Sequence, residues 1–145
     1  MLRRVVLLLC GALLVGVMVL GGVALAENIR GTFKQDDLQG TNQKDRIYGL
    51  GAADEIRALA GNDDCYGGSG ADVILCGDGN DRIDGGFGED DLFGGRGNDR
   101  ILAADGRVDQ VNCGTGIDTA YVDEQDNVDA AQARICENLL VARPE

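Results

Sequence analysis

The chain has 145 residues, with 25 Asp and Glu against 13 Lys and Arg, a net charge of −12, 23 Gly, and neither His nor Trp. So large an acidic surplus disfavours nucleic acid and anionic membrane as partners and favours cations. Without histidine there is no Ser-His or Cys-His nucleophile pair and no histidine-ligated zinc, no phosphate loop or dinucleotide glycine fingerprint occurs, and carboxylate neighbours such as Asp90 and Asp91 lack an aromatic sugar cleft; the chain reads as a non-enzyme.

In chain order, the first predicted element is a secretory signal over residues 1–26. Arg3 and Arg4 precede an uncharged run from Val5 to Ala26 that ends in Ala24-Leu25-Ala26. The competing reading is an uncleaved anchor helix, because the run is long enough to span a bilayer. Cys10 is a poor candidate for lipidation, with too short an apolar stretch ahead of it and Leu9 where a small residue belongs. Cleavage after Ala26 removes two arginines and no acid, which takes the net charge from −12 to −14. Either reading places the remainder outside the cytoplasmic membrane, as a secreted or extracellular chain with no membrane insertion after cleavage.

From Gly31 the sequence divides into nine-residue units without a gap: GTFKQDDLQ, GTNQKDRIY, GLGAADEIR, ALAGNDDCY, GGSGADVIL, CGDGNDRID, GGFGEDDLF and GGRGNDRIL, ending at Leu102. Position six is always Asp (Asp36, Asp45, Asp54, Asp63, Asp72, Asp81, Asp90, Asp99), and position eight is always apolar (Leu38, Ile47, Ile56, Cys65, Ile74, Ile83, Leu92, Ile101). A period of nine fits neither a helix face nor a plain alternating strand, and a disordered acidic tract needs no apolar residue in fixed phase. The repeat therefore predicts a stacked architecture. Beyond Leu102 the register slips by one residue, with Asp109 and Val111 and then Asp118 and Ala120 in the corresponding places.

Residues 122–145 read as a cap, which solenoids need to cover the stacked core. Val128, Ala131, Ile135 and Leu139 fall at helical spacing with Asp126 as a candidate N-cap, and a last irregular turn and strand around Cys136 is the alternative. Four cysteines follow the signal, Cys65, Cys76, Cys113 and Cys136, and an exported chain makes two disulfides the natural reading. Three pairings are open; Cys113 with Cys136 and Cys65 with Cys76 are favoured, and Cys65 as a small buried hydrophobe is the competing reading.

Segments such as GGSGADVIL, GGFGEDDLF and GGRGNDRIL resemble the haemolysin-type (RTX) calcium-binding repeat, G-G-x-G-x-D-x-U-x with U apolar, and the resemblance extends over residues 31–121. The first units depart from it: Thr32 and Thr41 replace glycine at position two, and Lys34 and Gln43 at position four. The resemblance implies an all-β fold, a parallel β-roll over residues 27–121, with each unit a six-residue turn followed by a three-residue strand. It implies Ca2+ as cofactor, bound between turns two units apart, so that Asp54 pairs with Asp72, Asp63 with Asp81, Asp72 with Asp90, and Asp81 with Asp99. The turn glycines Gly68, Gly70, Gly77, Gly79, Gly86, Gly88, Gly95 and Gly97 join those aspartates as metal-site residues.

Glycine at positions one, two and four is expected from the torsions needed to aim carbonyls at one point. A hard cation taking six to eight oxygens suits carbonyls plus carboxylates, and the position-seven acids Asp37, Asp64 and Asp91 are expected to face solvent. One apolar residue per unit makes a thin core, so calcium is expected to contribute to folding. The alternative use of the same scaffold is a structural or adhesive module that calcium stiffens at the cell surface, with a cell-wall or extracellular protein partner.

Overall fold

The computed structural model describes residues 26–128 and 136–142. The expected secretory signal lies outside the described residues except for Ala26, as do residues 129–135 and 143–145 of the cap. Among the described residues every regular element is a strand: β1 (Asn28–Arg30), β2 (Asp37–Gln39), β3 (Arg46–Tyr48), β4 (Glu55–Arg57), β5 (Asp64–Ser69), β6 (Val73–Asp78), β7 (Arg82–Phe87), β8 (Asp91–Arg96), β9 (Arg100–Leu102), β10 (Gln110–Thr115), β11 (Thr119–Asp123), β12 (Asn127–Val128) and β13 (Asn138–Ala142).

Successive strands alternate between two parallel sheets, one ordered β1-β3-β5-β7-β9-β11-β13 and the other β12-β10-β8-β6-β4-β2. Two nine-residue units thus make one coil of a β-solenoid, as the resemblance implied, and each strand pairs with the strand two units on: Cys65 lies opposite Ile83, and Ile74 opposite Leu92. Each short strand carries an apolar residue between two polar or half-exposed neighbours, as in Arg46-Ile47-Tyr48. That alternation points the middle side chain inward.

Stacking places Ile47, Cys65, Ile83 and Ile101 in one inward column and Ile56, Ile74 and Leu92 in the facing one, all fully buried. The slip after Leu102 is absorbed before Asp109. Leu92 faces Val111 and Ile101 faces Ala120, one residue further on than in earlier coils. The additional residue sits in the turn 103–108, where Gly106 adopts a φ of 86°.

Two expectations need correction. In β5 to β8 and β10 the strand runs six residues, into what was expected to be the turn, because Gly68 and Gly77 still pair with Gly86 and Gly95 of the next coil. Position one is glycine for space and not for torsion. Gly49, Gly67 and Gly85 are not among the left-handed glycines, but a Cβ on Gly67 would lie 2.5 Å from both Asp72 Oδ2 and the Gly85 carbonyl oxygen. On the other side of the solenoid the same slot takes the small residues Ala58, Cys76 and Cys113, all buried.

The cap is not helical where it is described. Val128 pairs with Val111 in β12 and Leu139 with Ala120 in β13. Asp126, expected as an N-cap, instead accepts the N–H groups of Asp109 and Asp123 at 3.0 and 2.7 Å. The disulfide Cys113–Cys136 is formed, with a Cα–Cα distance of 5.6 Å, and fastens the start of the final strand to the core of β10.

Candidate metal centre

The turns between strands form two rims, and the position-six aspartates stack along them. On one rim the backbone N–H of each residue donates to the next aspartate's Oδ1: Asp36 to Asp54, Asp54 to Asp72, Asp72 to Asp90 and Asp90 to Asp109, each at 2.8 Å. Asp126 ends that series. On the other rim the series runs from Glu27 through Asp45, Asp63, Asp81 and Asp99 to Asp118 at 2.7–2.9 Å, and Glu137 closes it by accepting the Asp118 N–H through Oε2 at 2.8 Å. The sequence-expected pairs Asp54 with Asp72, Asp63 with Asp81, Asp72 with Asp90 and Asp81 with Asp99 are all rungs of these ladders.

In seven of these carboxylates only one oxygen is used. The Oδ2 atoms of Asp54, Asp63, Asp72, Asp81, Asp90, Asp99 and Asp118 are buried with no hydrogen-bond partner. A buried carboxylate oxygen left alone is costly. Burial, opposed by the N–H bond to Oδ1 and reinforced by neighbouring carboxylates, pushes the pKa of Asp54, Asp63, Asp72, Asp90 and Asp99 up to about 6 and that of Asp81 up to about 7. Asp109 rises to about 7 and Asp118 also rises, by burial first.

Backbone carbonyl oxygens border the same small spaces as these orphans. At Gly49, as at Gly67, the space a Cβ would fill is shared by an aspartate Oδ2, here that of Asp54, and the next coil's carbonyl oxygen, here Gly67 O, both at 2.5 Å. Among the described residues no three His, Cys, Asp or Glu side chains converge on a metal position. A cation held here must therefore complete its shell with carbonyls, a hard-oxygen donor set that fits calcium and not a thiophilic or imidazole-seeking metal.

The glycines expected at these sites, Gly68, Gly70, Gly77, Gly79, Gly86, Gly88, Gly95 and Gly97, all have left-handed φ, between 95° and 156°. Space is as decisive as torsion at position four, since a Cβ on Gly79 would come within 1.4 Å of the Gly61 carbonyl oxygen. In the third and fourth units Leu50, Ala52 and Leu59 hold the same positive φ without being glycine, at roughly 1 kcal/mol of strain each.

The first two turns are built differently. Asp36 Oδ2 accepts the Thr32 N–H at 2.6 Å and its hydroxyl at 2.9 Å, and Asp45 Oδ2 accepts the Thr41 N–H at 2.6 Å and its hydroxyl at 3.0 Å. Each threonine Oγ1 in turn accepts an N–H two residues on, from Lys34 or Gln43. These turns close on their own hydrogen bonds, so threonine at position two coincides with the loss of the orphan oxygen, which Asp54 and Asp63 keep although Leu50, Ala52 and Leu59 also replace glycine.

Several site residues escaped sequence reasoning. Asp118 has the same orphaned oxygen as the assigned aspartates, and its turn has left-handed Gly114 and Gly116; the signal was the CGTGID match beyond the slip. Glu137 carried no periodic signal. A second ladder of Asn62, Asn80 and Asn98 runs up one rim, with Asn80 N–H to Asn62 Oδ1 at 2.9 Å and Asn98 N–H to Asn80 Oδ1 at 2.7 Å; its signal was the repeated Gly-Asn-Asp. Of the position-seven acids, Asp37 is exposed in an ion pair with Arg57, whereas Asp64, paired with Lys44 and Arg46, and Asp91 are half-buried; all three stand outside the ladders. Cys65 and Cys76, expected as the second disulfide, are two buried thiols in contact, with their sulfurs 2.7 Å apart and unbonded.

The family model for the RTX calcium-binding nonapeptide repeat, in four copies, matches residues 39–74 and 66–101. No curated protein and no solved structure matches the chain.

Proposed function

Residues 39–101 being RTX calcium-binding nonapeptide repeats, we propose that the chain is an exported protein whose two rims bind Ca2+ and whose folding is coupled to that binding. The observation that carries this reading is the row of seven buried Oδ2 atoms without a partner. Asp54, Asp63, Asp72, Asp81, Asp90 and Asp99 hold the ions together with carbonyls of the turns containing Gly68, Gly70, Gly77, Gly79, Gly86, Gly88, Gly95 and Gly97. Each ion bridges adjacent coils, so it offsets carboxylate desolvation and cross-links the stack at once.

A chain with one inward apolar residue per unit has little else to oppose the entropy of ordering so many glycines. Millimolar calcium, typical of extracellular modules, therefore separates an expanded form from a folded one. The secretory signal and the oxidised cysteines fit a calcium-rich, extracellular setting. The reading gives the chain no catalytic role.

The test is equilibrium dialysis with calcium on the oxidised protein lacking residues 1–26, paired with far-UV circular dichroism. Several ions bound per chain, with strand signal growing in step and reversed by EGTA, is the expected result. No uptake at millimolar calcium would remove the proposal.

A further inference from the structure

We propose that the outer face of the seven-stranded sheet is a binding surface for a carboxylate-bearing glycan. The strand register lines up two outward rows there. One contains Arg46, Asp64, Arg82 and Arg100, and the other runs Arg30, Tyr48, Tyr66, Asp84, Leu102 and Tyr121. The opposite sheet presents Asp37, Glu55 and Asp91 at positions corresponding to the first row. In a strongly acidic chain, four arginines (Arg30, Arg46, Arg82 and Arg100) are thus gathered on one face, against two acids in the same rows, Asp64 and Asp84.

Arg82 and Arg100 are directly opposite each other on neighbouring strands, and both are exposed. Strands lie about 4.8 Å apart, and like charges facing at that spacing destabilise a sheet. Arg46 is compensated by Asp64 at 3.3 Å and Arg57 by Asp37 at 2.6 Å. Among the described residues neither Arg82 nor Arg100 has a carboxylate within ion-pair distance. An oxyanion accepting from both guanidinium forks relieves the repulsion, and planar guanidinium suits carboxylate in that role.

The guanidiniums are also set on aromatic rings. Arg100 lies 4.6 Å from the centroid of Tyr121 and Arg82 lies 5.9 Å from that of Tyr66. Tyr66 stacks on Tyr48 at 4.9 Å and 8°, and Arg30 lies 5.7 Å from the Tyr48 centroid. The result is two sets of half-exposed rings, Tyr48 stacked with Tyr66 and Tyr121 beyond Asp84 and Leu102, each ring with an apolar face and a hydroxyl and each set beside an arginine. A sugar ring has the complementary character, an apolar face rimmed by hydroxyls, and a uronate adds the carboxylate.

Other anionic polymers fit less well. β7 and β9 are paired on both sides, so an acidic peptide finds no free backbone edge for strand addition. Nucleic acid, with dense charge along its length, must also pass the carboxylate ladders on both rims. A glycan with widely spaced carboxylates can use the cationic strip and avoid both.

The experiment is isothermal titration of the folded, calcium-saturated protein with hyaluronate oligosaccharides, against neutral dextran and poly-glutamate, with dichroism confirming the fold. Hyaluronate binding that weakens with added salt is expected, dextran and poly-glutamate binding far less. The double variant Arg82→Ala/Arg100→Ala is expected to lose at least about tenfold in affinity, and Arg96→Ala/Arg107→Ala, off this face, to lose little. Equal or tighter binding of poly-glutamate, no binding at millimolar hyaluronate, indifference to Arg82→Ala/Arg100→Ala, or self-association that this double variant abolishes would each overturn the proposal. Calcium uptake measured on the same samples separates its failure from that of the metal reading.

Discussion

Protons are expected to substitute for calcium. In the folded chain Asp54, Asp63, Asp72, Asp90 and Asp99 titrate near 6 and Asp81 and Asp109 near 7, because burial disfavours their charged forms, against 3.8 for the same groups in water. Between those limits the folded state binds more protons than the unfolded one. The stability of the metal-free fold therefore falls as pH rises from about 4 to about 7, and returns on acidification.

Keeping one carboxylate of this kind ionised in the fold costs about 3 kcal/mol. Over these seven, discounted by half for water reaching the rims, the total is on the order of 10 kcal/mol. That is comparable with the whole stability of a typical domain, about 5–15 kcal/mol, so the metal-free chain is expected to be unfolded near neutral pH. The assay is far-UV circular dichroism of the metal-stripped, oxidised chain from about pH 7.5 to about pH 4.5. Strand signal should rise with a midpoint near pH 6, well above the range where exposed carboxylates titrate. A signal that stays flat or declines over that range would refute the reasoning.

The ladder also separates charge from hydrogen bonding. Asp81→Asn keeps an Oδ1 acceptor for the Asp63 N–H and removes the buried charge, so it should lower the number of bound calcium ions and stabilise the metal-free fold at neutral pH by ~1 kcal/mol or more. Asp37→Ala, which removes only an exposed ion pair with Arg57, should leave the number of bound ions unchanged and alter stability by less than about 1 kcal/mol; parallel dialysis and denaturant titrations compare the two. Gly79→Ala drives a Cβ into the Gly61 carbonyl and should prevent folding even in saturating calcium, whereas Gly106→Ala, with nothing within 4 Å of its Cβ, should cost only about 1–2 kcal/mol for its positive φ, as read by calcium-saturated thermal melts. Cys65 and Cys76 should be bonded in the exported protein: burial raises the Cys76 thiol well above its ordinary range, so exchange through the thiolate should precede closure of the core. Intact-mass analysis with an alkylating agent in denaturant should find no free thiol among Cys65, Cys76, Cys113 and Cys136, and two alkylated cysteines would count against that pairing.

Phase made the architecture readable. An apolar residue at position eight of every unit forces one inward side chain per strand, and once the RTX resemblance implies turns alternating between two edges, the pairing of Cys65 with Ile83 follows. The ladder partners were legible for the same reason. What periodicity could not convey was use of the same slot by different chemistry. The hydroxyls of Thr32 and Thr41 occupy the aspartate oxygens that glycine-bearing turns leave open, and Glu137 reaches Asp118 from outside any repeat. Position-one glycine was assigned to torsion because sequence shows which side chain is missing and not what lies where its Cβ would go. At Gly67 that is a carbonyl and a carboxylate of stacked coils, a contact created only by stacking. The helical spacing of Val128 and Leu139 likewise lost to the exposed edges of β10 and β11, whose open hydrogen bonds recruit one more strand each.

The most direct measurement is amide hydrogen exchange, followed residue by residue at about pH 7.5 with calcium saturating and with calcium stripped. The N–H groups of Asp54, Asp63, Asp72 and Asp81, each donated to the carboxylate of the next coil, should be strongly protected with calcium and exchange freely without it. Equal protection of those four amides in the two samples would contradict the account.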